Sequence, residues 1–129
     1  MKLALGTASF GTSYGIGNLN GKVNIVEAKK ILKFAKSKNI SVIDTAVAYG
    51  DSEQYLGKIG VDSYKVVSKL PSVPIETLDV KKWVITETKN SIKRLGIKSL
   101  YALLLHNPDQ LLGPSGKEIY NSLVELKSN

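Results

Sequence analysis

The 129-residue sequence contains no cysteine, which removes disulfides, thiolate metal ligands and a cysteine nucleophile together. It holds a single histidine, His106, and a single arginine, Arg94. One histidine among scattered carboxylates makes a zinc cage unconvincing, and without a serine-histidine pairing in view a hydrolytic triad is weakly supported; no metal is expected. The lone arginine leaves no second guanidinium fork for bases or phosphates elsewhere. No apolar run approaches the ~20 residues that a membrane span needs, and neither a sequence repeat nor a low-complexity segment is evident. Met1 to Gly6 carries one lysine and too few apolar residues for the h-region of a secretion signal. A cytoplasmic protein with no membrane contact is therefore expected.

What is present describes one globular domain. Hydrophobic residues make up 43% and charged residues 22% of the chain, ordinary proportions for a soluble fold rather than a disordered or fibrous one. The length suits a single core. The formal charge of +7 invites comparison with nucleic-acid binders. Its distribution argues otherwise, because acids interrupt the lysines, as in Glu27-Ala28-Lys29-Lys30 and Glu87-Thr88-Lys89. These read as solvated helix faces, and no nucleic-acid partner is expected.

Strand and helix patterns alternate along the chain. Leu3 to Leu5 reads as a strand, Gly6 to Gly21 as a glycine-rich loop, and Ile25, Ala28, Ile31, Leu32 and Ala35 recur at helical spacing as far as Asn39. Asn24 suits an N-cap and Asn39 a C-terminal stop. A strand from Ile40 to Ile43, a short helix near Ser52 to Ile59 and a strand from Lys65 to Ser68 follow. Pro71 and Pro74 punctuate a loop before a helix from about Asp79 to Leu95, with Val80, Trp83, Val84, Thr88 and Ile92 on one face and Gly96 at its end. Leu100 to Leu105 reads as the fourth strand, and about Lys117 to Lys127 as the last helix. Four short apolar strands alternating with helices predict an α/β fold with a parallel sheet covered by helices, either open and doubly wound or part of a (βα) barrel. The first loop has no GxGxxG opening a helix directly, and the chain has no GxxxxGK[ST], so a Rossmann or P-loop reading loses its best support.

Polar residues fall at the strand ends. Asp44 closes the second strand, Lys69 the third and His106 the fourth, while Tyr49 follows Asp44 in a loop. In a parallel sheet these ends share one edge. Strands about 4.8 Å apart let Asp44 and Lys69 touch and put His106 roughly 10 Å from Asp44. Alone, the aspartate reads as a turn former, the histidine as structural, the lysine as solvated and the tyrosine as packed with a wet hydroxyl. Together on the rim where (βα) folds build their sites, they point to chemistry. A phenol is a weak acid, with a reference pKa of about 10, and a neighbouring ammonium favours its ionised form. Tyr49 would donate a proton to a carbonyl, Lys69 supply the charge, Asp44 hold Lys69, and His106 hydrogen-bond the carbonyl oxygen. A carbonyl accepting hydride from a bound cofactor fits this set.

At these residues the sequence resembles the aldo-keto reductases. The matching pieces are "LALGTASFG", "IDTAVAYGDSEQYLG", "VVSKLP" and "SIKRLGIKSLYALLLHNPD", in family order over nearly the whole chain. The resemblance implies a (βα) TIM barrel, NADPH as cofactor, a small-molecule carbonyl substrate, and Asp44, Tyr49, Lys69 and His106 as the catalytic tetrad. It also implies that Thr7, Ala8 and Asp44 lie near the nicotinamide riboside. A complete barrel takes about 250 residues, so residues 1–129 are expected to form the N-terminal half, a partial barrel of about four βα units. In the family the remaining cofactor contacts come mainly from the other half. Reduction of an aldehyde or ketone would then require a partner half, self-association or a longer chain. The alternative is a non-catalytic half-barrel module that associates with itself or another chain through its uncovered face.

Overall fold

The computed structural model describes residues 3–15 and 21–128. Four strands, β1 (Ala4–Gly6), β2 (Val42–Asp44), β3 (Lys65–Leu70) and β4 (Ala102–Leu105), form one sheet in the order β1-β2-β3-β4. Every pairing is parallel, with Gly6 opposite Asp44, Ile43 opposite Val66 and Lys69 opposite Leu104. The helices are α1 (Ala8–Gly11), α2 (Ile25–Ser37), α3 (Ser52–Ile59), α4 (Val80–Leu95) and α5 (Gly116–Ser128), with a 3-10 turn at Pro108–Leu112. This is the α/β architecture of a partial barrel, with β1 and β4 as its open edges.

The period of two along a strand decides which side chains are covered. On one face Ile43, Val66, Ser68 and Leu70 are buried beneath helices, whereas Ala4, Gly6, Lys65 and Leu104 on the other are exposed. The expectation of helix-covered strands thus holds for one face only. The second face also carries Asp44, Val67 and Lys69 at intermediate exposure, and among the described residues no layer lies over it. The core divides in two. Phe10, Leu32, Ile43, Leu56, Val66 and Leu95 pack under α2 and α3, while Leu70, Val80, Val84 and Ile119 pack under α4 and α5.

Helix ends follow their sequence signals. Asn24 accepts a bond from the Glu27 amide at 3.0 Å, and Asp79 accepts one from the Lys82 amide at 2.8 Å. Asn39 (φ 61°) and Gly96 (φ 65°) adopt the left-handed conformation that stops α2 and α4.

The strands start or end elsewhere than expected, for physical reasons. Ile40 is not in β2, because its amide closes α2 on the Ala35 carbonyl at 3.0 Å. β1 runs on to Gly6, which pairs with Asp44. β3 continues to Leu70, so Lys69 is its penultimate residue, and β4 begins at Ala102 rather than Leu100. The glycine-rich loop contains the turn of helix α1, and its residues 16–20 lie outside the described residues, as do Met1 and Lys2. On α4 the buried face is Val80, Val84, Thr88, Ser91 and Leu95, with Trp83 and Ile92 half-buried beside it.

Candidate active site

β2 delivers Asp44 at its last residue, and the chain then runs on beside β3, with Thr45 and Val47 amides bonded to the Val67 and Lys69 carbonyls at 2.9 and 3.2 Å. This extension carries the backbone past Lys69 before it turns at Tyr49, whose amide bonds the Ala46 carbonyl at 3.1 Å. The Lys69 ammonium donates to both carboxylate oxygens of Asp44 at 2.8 Å and to the Thr45 carbonyl at 2.9 Å. It also stands 3.4 Å from the Tyr49 hydroxyl and 4.9 Å from the centre of its ring. His106 follows β4 directly, its amide bonded to the Leu70 carbonyl at 2.9 Å. Its ring meets the Tyr49 ring edge-on, 5.9 Å between centres at 83°. Asp44, Lys69 and His106, anticipated at the strand ends, and Tyr49, anticipated in the loop after Asp44, therefore gather at one end of the sheet, on the face that no helix among the described residues covers.

Accessibility grades the cluster. The Lys69 and Asp44 side chains are 17% and 34% exposed, a partly dry pair with excess charge satisfied by hydrogen bonds. Tyr49 is half-buried and His106 is exposed, so both side chains keep surface that an approaching molecule can touch. Thr7 is fully buried, its hydroxyl donating to the Asp44 carbonyl at 3.0 Å, and Ala8 beside it is half-buried.

A second polar network, which sequence reasoning missed, supports the cluster from behind. Glu53 is 1% exposed. Its Oε1 accepts from the Ser68 and Ser91 hydroxyls at 2.6 and 2.5 Å, and its Oε2 from Arg94 Nε at 2.7 Å. Arg94 also donates to Glu87 at 2.8 Å. Burial works against the guanidinium charge, but the bonds to Glu87 and Glu53 outweigh it and hold the Arg94 pKa above its ordinary value. The network ties α3, which follows the Tyr49 loop, to the residue before Lys69. In the sequence Ser52 and Glu53 only begin the short helix expected near Ser52 to Ile59, and the one signal available for a buried carboxylate partner is the lone Arg94.

The sequence matches the model of the aldo/keto reductase family over residues 2–129. The chain belongs to the aldo/keto reductase family. Among relatives, an oxidoreductase of Leptosphaeria maculans, sirO, is 30% identical over 128 residues, which is 96% of this chain and 38% of that protein. A solved structure from Pseudomonas aeruginosa, assigned to the aldo-keto reductases, superposes with a TM-score of 0.78 at 30% identity, covering 97% of this chain and 50% of its own. The holo form of the aldo-keto reductase AKR11C1 from Bacillus halodurans shares the fold, with a TM-score of 0.72 at 21% identity over 98% of this chain and 42% of its own. This aldo/keto reductase chain thus spans half or less of the length of these relatives, and its four parallel strands correspond to part of their barrels. Among its described residues no helix is long and apolar enough to cross a membrane.

Proposed function

We propose that this chain carries the proton-donating part of an NADPH-dependent reductase that converts an aldehyde or ketone to an alcohol. The observation that carries the reading is the Lys69 ammonium, fixed by both oxygens of Asp44 and 3.4 Å from the Tyr49 hydroxyl. An ammonium in that place stabilises the phenolate left after Tyr49 gives up its proton. The half-buried Tyr49 and exposed His106 present an O–H and an imidazole side by side, a geometry able to hold a carbonyl oxygen while it gains negative charge.

The residues present fit the reacting end of such a site. A nicotinamide cofactor, when bound, would supply the hydride for the carbonyl carbon. Tyr49 Oη supplies the proton to the oxygen, Lys69 neutralises the phenolate, Asp44 keeps Lys69 aimed, and His106 orients the carbonyl. Ala8 and Asp44 would border the nicotinamide riboside, with Thr7 buried beneath them. Because the chain spans only part of its relatives' length, the remaining cofactor contacts would come from a completing half, a second copy or a longer chain.

Loss of NADPH absorbance in the presence of simple aldehydes tests the activity, and no turnover would overturn catalysis by this chain alone. Where turnover is measured, Tyr49→Phe is expected to reduce it by about 10²–10⁴-fold, the usual worth of a positioned acid. Retained activity would remove Tyr49 as the donor.

The uncovered sheet face, with exposed Leu104 and the open edges β1 and β4, favours a second reading, a non-catalytic half-barrel that associates with itself or another chain. Sedimentation separates the two. A dimer without dinucleotide affinity supports the second reading, and a dinucleotide-binding monomer opposes it.

A further inference from the structure

The glycine-rich turn after β1 carries no phosphate-binding fingerprint, and the chemistry above leaves Gly11 without a part. The structure shows what Gly11 does. A Cβ placed on it would stand 1.6 Å from the Tyr49 carbonyl oxygen and 2.5 Å from the Ser52 amide nitrogen. Gly50, at φ +53°, answers it, since a Cβ there would lie 2.5 Å from the Gly11 carbonyl oxygen. The backbones of α1 and of the Tyr49 loop are therefore in direct contact, at a distance no side chain allows. Beneath that contact lies a knot of three fully buried hydroxyl residues. Ser52 Oγ is 3.0 Å from the Thr7 carbonyl, 2.9 Å from Thr7 Oγ1 and 3.1 Å from Thr45 Oγ1.

These contacts complete a clamp. On one side the segment after β2 is hydrogen-bonded along β3 at Thr45 and Val47. On the other side, where Tyr49 turns, the described residues supply α1, the hydroxyl knot and, at the surface, the Lys22–Asp51 ion pair. We propose that the β1–α1 turn, through Gly11 and the Thr7–Ser52 bond, is the positioning support that sets Tyr49 against Lys69 and His106. The inference rests on the reading of Tyr49 as proton donor for its catalytic consequence, but its structural part is independent of that reading. Gly11 and Ser52 are positioning residues; neither touches the reacting atoms.

The test uses the only histidine of the 129-residue chain, whose ring-proton resonances are identified without ambiguity in an untagged sample. The Tyr49 ring sits edge-on to His106 at 5.9 Å, so those resonances report its place, and Tyr49→Leu gives their values without it. Gly11→Ala and Ser52→Ala are expected to move the His106 signals towards the Tyr49→Leu values. Gly57→Ala is the control, because its Cβ would meet the Arg94 carbonyl oxygen at 2.2 Å where α3 crosses α4, a comparable clash away from the turn; its His106 signals stay at the wild-type positions. Where turnover is measurable, kcat in the first two variants falls by about 10–10²-fold at unchanged KM, the cost of misplacing a reacting group by an ångström. Wild-type His106 signals in folded Ser52→Ala, or equal movement in Gly57→Ala, overturn the proposal. Should Gly11→Ala fail to fold, Ser52→Ala decides alone. Failure of the proton-donor reading is distinguishable, since it leaves the resonance shifts intact while Tyr49→Phe keeps its turnover.

Discussion

The Lys69 ammonium has three protons and four oxygens around it, both of the Asp44 carboxylate, the Thr45 carbonyl and, at the longest distance, the Tyr49 hydroxyl. No proton is left for a rotamer that points elsewhere, so the charge is held where a phenolate would form. Tyr64 shows the opposite use of a phenol. Its hydroxyl donates to the Leu32 carbonyl at 2.8 Å, and burial raises its pKa above the ordinary value. A folded-state pKa raised above the unfolded one means that the neutral phenol stabilises the fold fully below about pH 10, and that this contribution is lost as pH rises through the folded value. Tyr64→Phe should therefore lower stability by about 1 kcal/mol near neutrality, the net worth of one hydrogen bond. Urea titrations of both proteins at pH 7 and pH 10.5 check it. The gap between them narrows at the higher pH, and a gap that widens would contradict the assignment.

At the scale of elements, α3 is fastened through its first turn. Its Glu53 reaches Ser68 on β3 and Ser91 and Arg94 on α4, and Gly57 one turn later lets the two helices touch. Removing the guanidinium leaves the Glu53 carboxylate buried against two hydroxyls. Arg94→Met is accordingly expected to cost about 3–5 kcal/mol, the range for breaking a buried pair, whereas Arg94→Met combined with Glu53→Gln costs less than the sum of the single changes. Denaturant unfolding of the three variants measures the coupling, and simple additivity would show that the pair is not a unit. This network marks the limit of what the sequence disclosed. Asp44, Tyr49, Lys69 and His106 were legible because strand ends in a parallel sheet share an edge, whatever the loops do. Glu53 was not, because its burial depends on the angle at which α3 lies across β3 and α4. Gly11 was visible as a glycine, but the backbone it had to admit lies 38 residues away at Tyr49. The uncovered face was not legible in the strands themselves, since short apolar strands look alike whether one face or both are covered; only the family resemblance, which implied a half-barrel, pointed to it.

For the molecule as a whole, the two parts of the core share their supports. β3 contributes Val66 to the cluster under α2 and α3 and Leu70 to the cluster under α4 and α5. α4 likewise gives Leu95 to the first and Val80 and Val84 to the second. Neither cluster can open without disturbing a strand and a helix that the other needs, so the chain is expected to unfold as one unit despite its open sheet face. Trp83, the only tryptophan, packs against the second cluster and reports on that part alone, while the helices of both parts contribute to far-ultraviolet circular dichroism. The two signals should give coincident denaturant transitions. Leu32→Ala, a change confined to the first cluster, should cost about 2–5 kcal/mol and move the Trp83 transition by the same amount as the dichroism transition. If Trp83 fluorescence instead kept its wild-type midpoint while the dichroism shifted, the two clusters would be separate folding units, and the Tyr49 loop, which hangs on the first, would be free to loosen without the second.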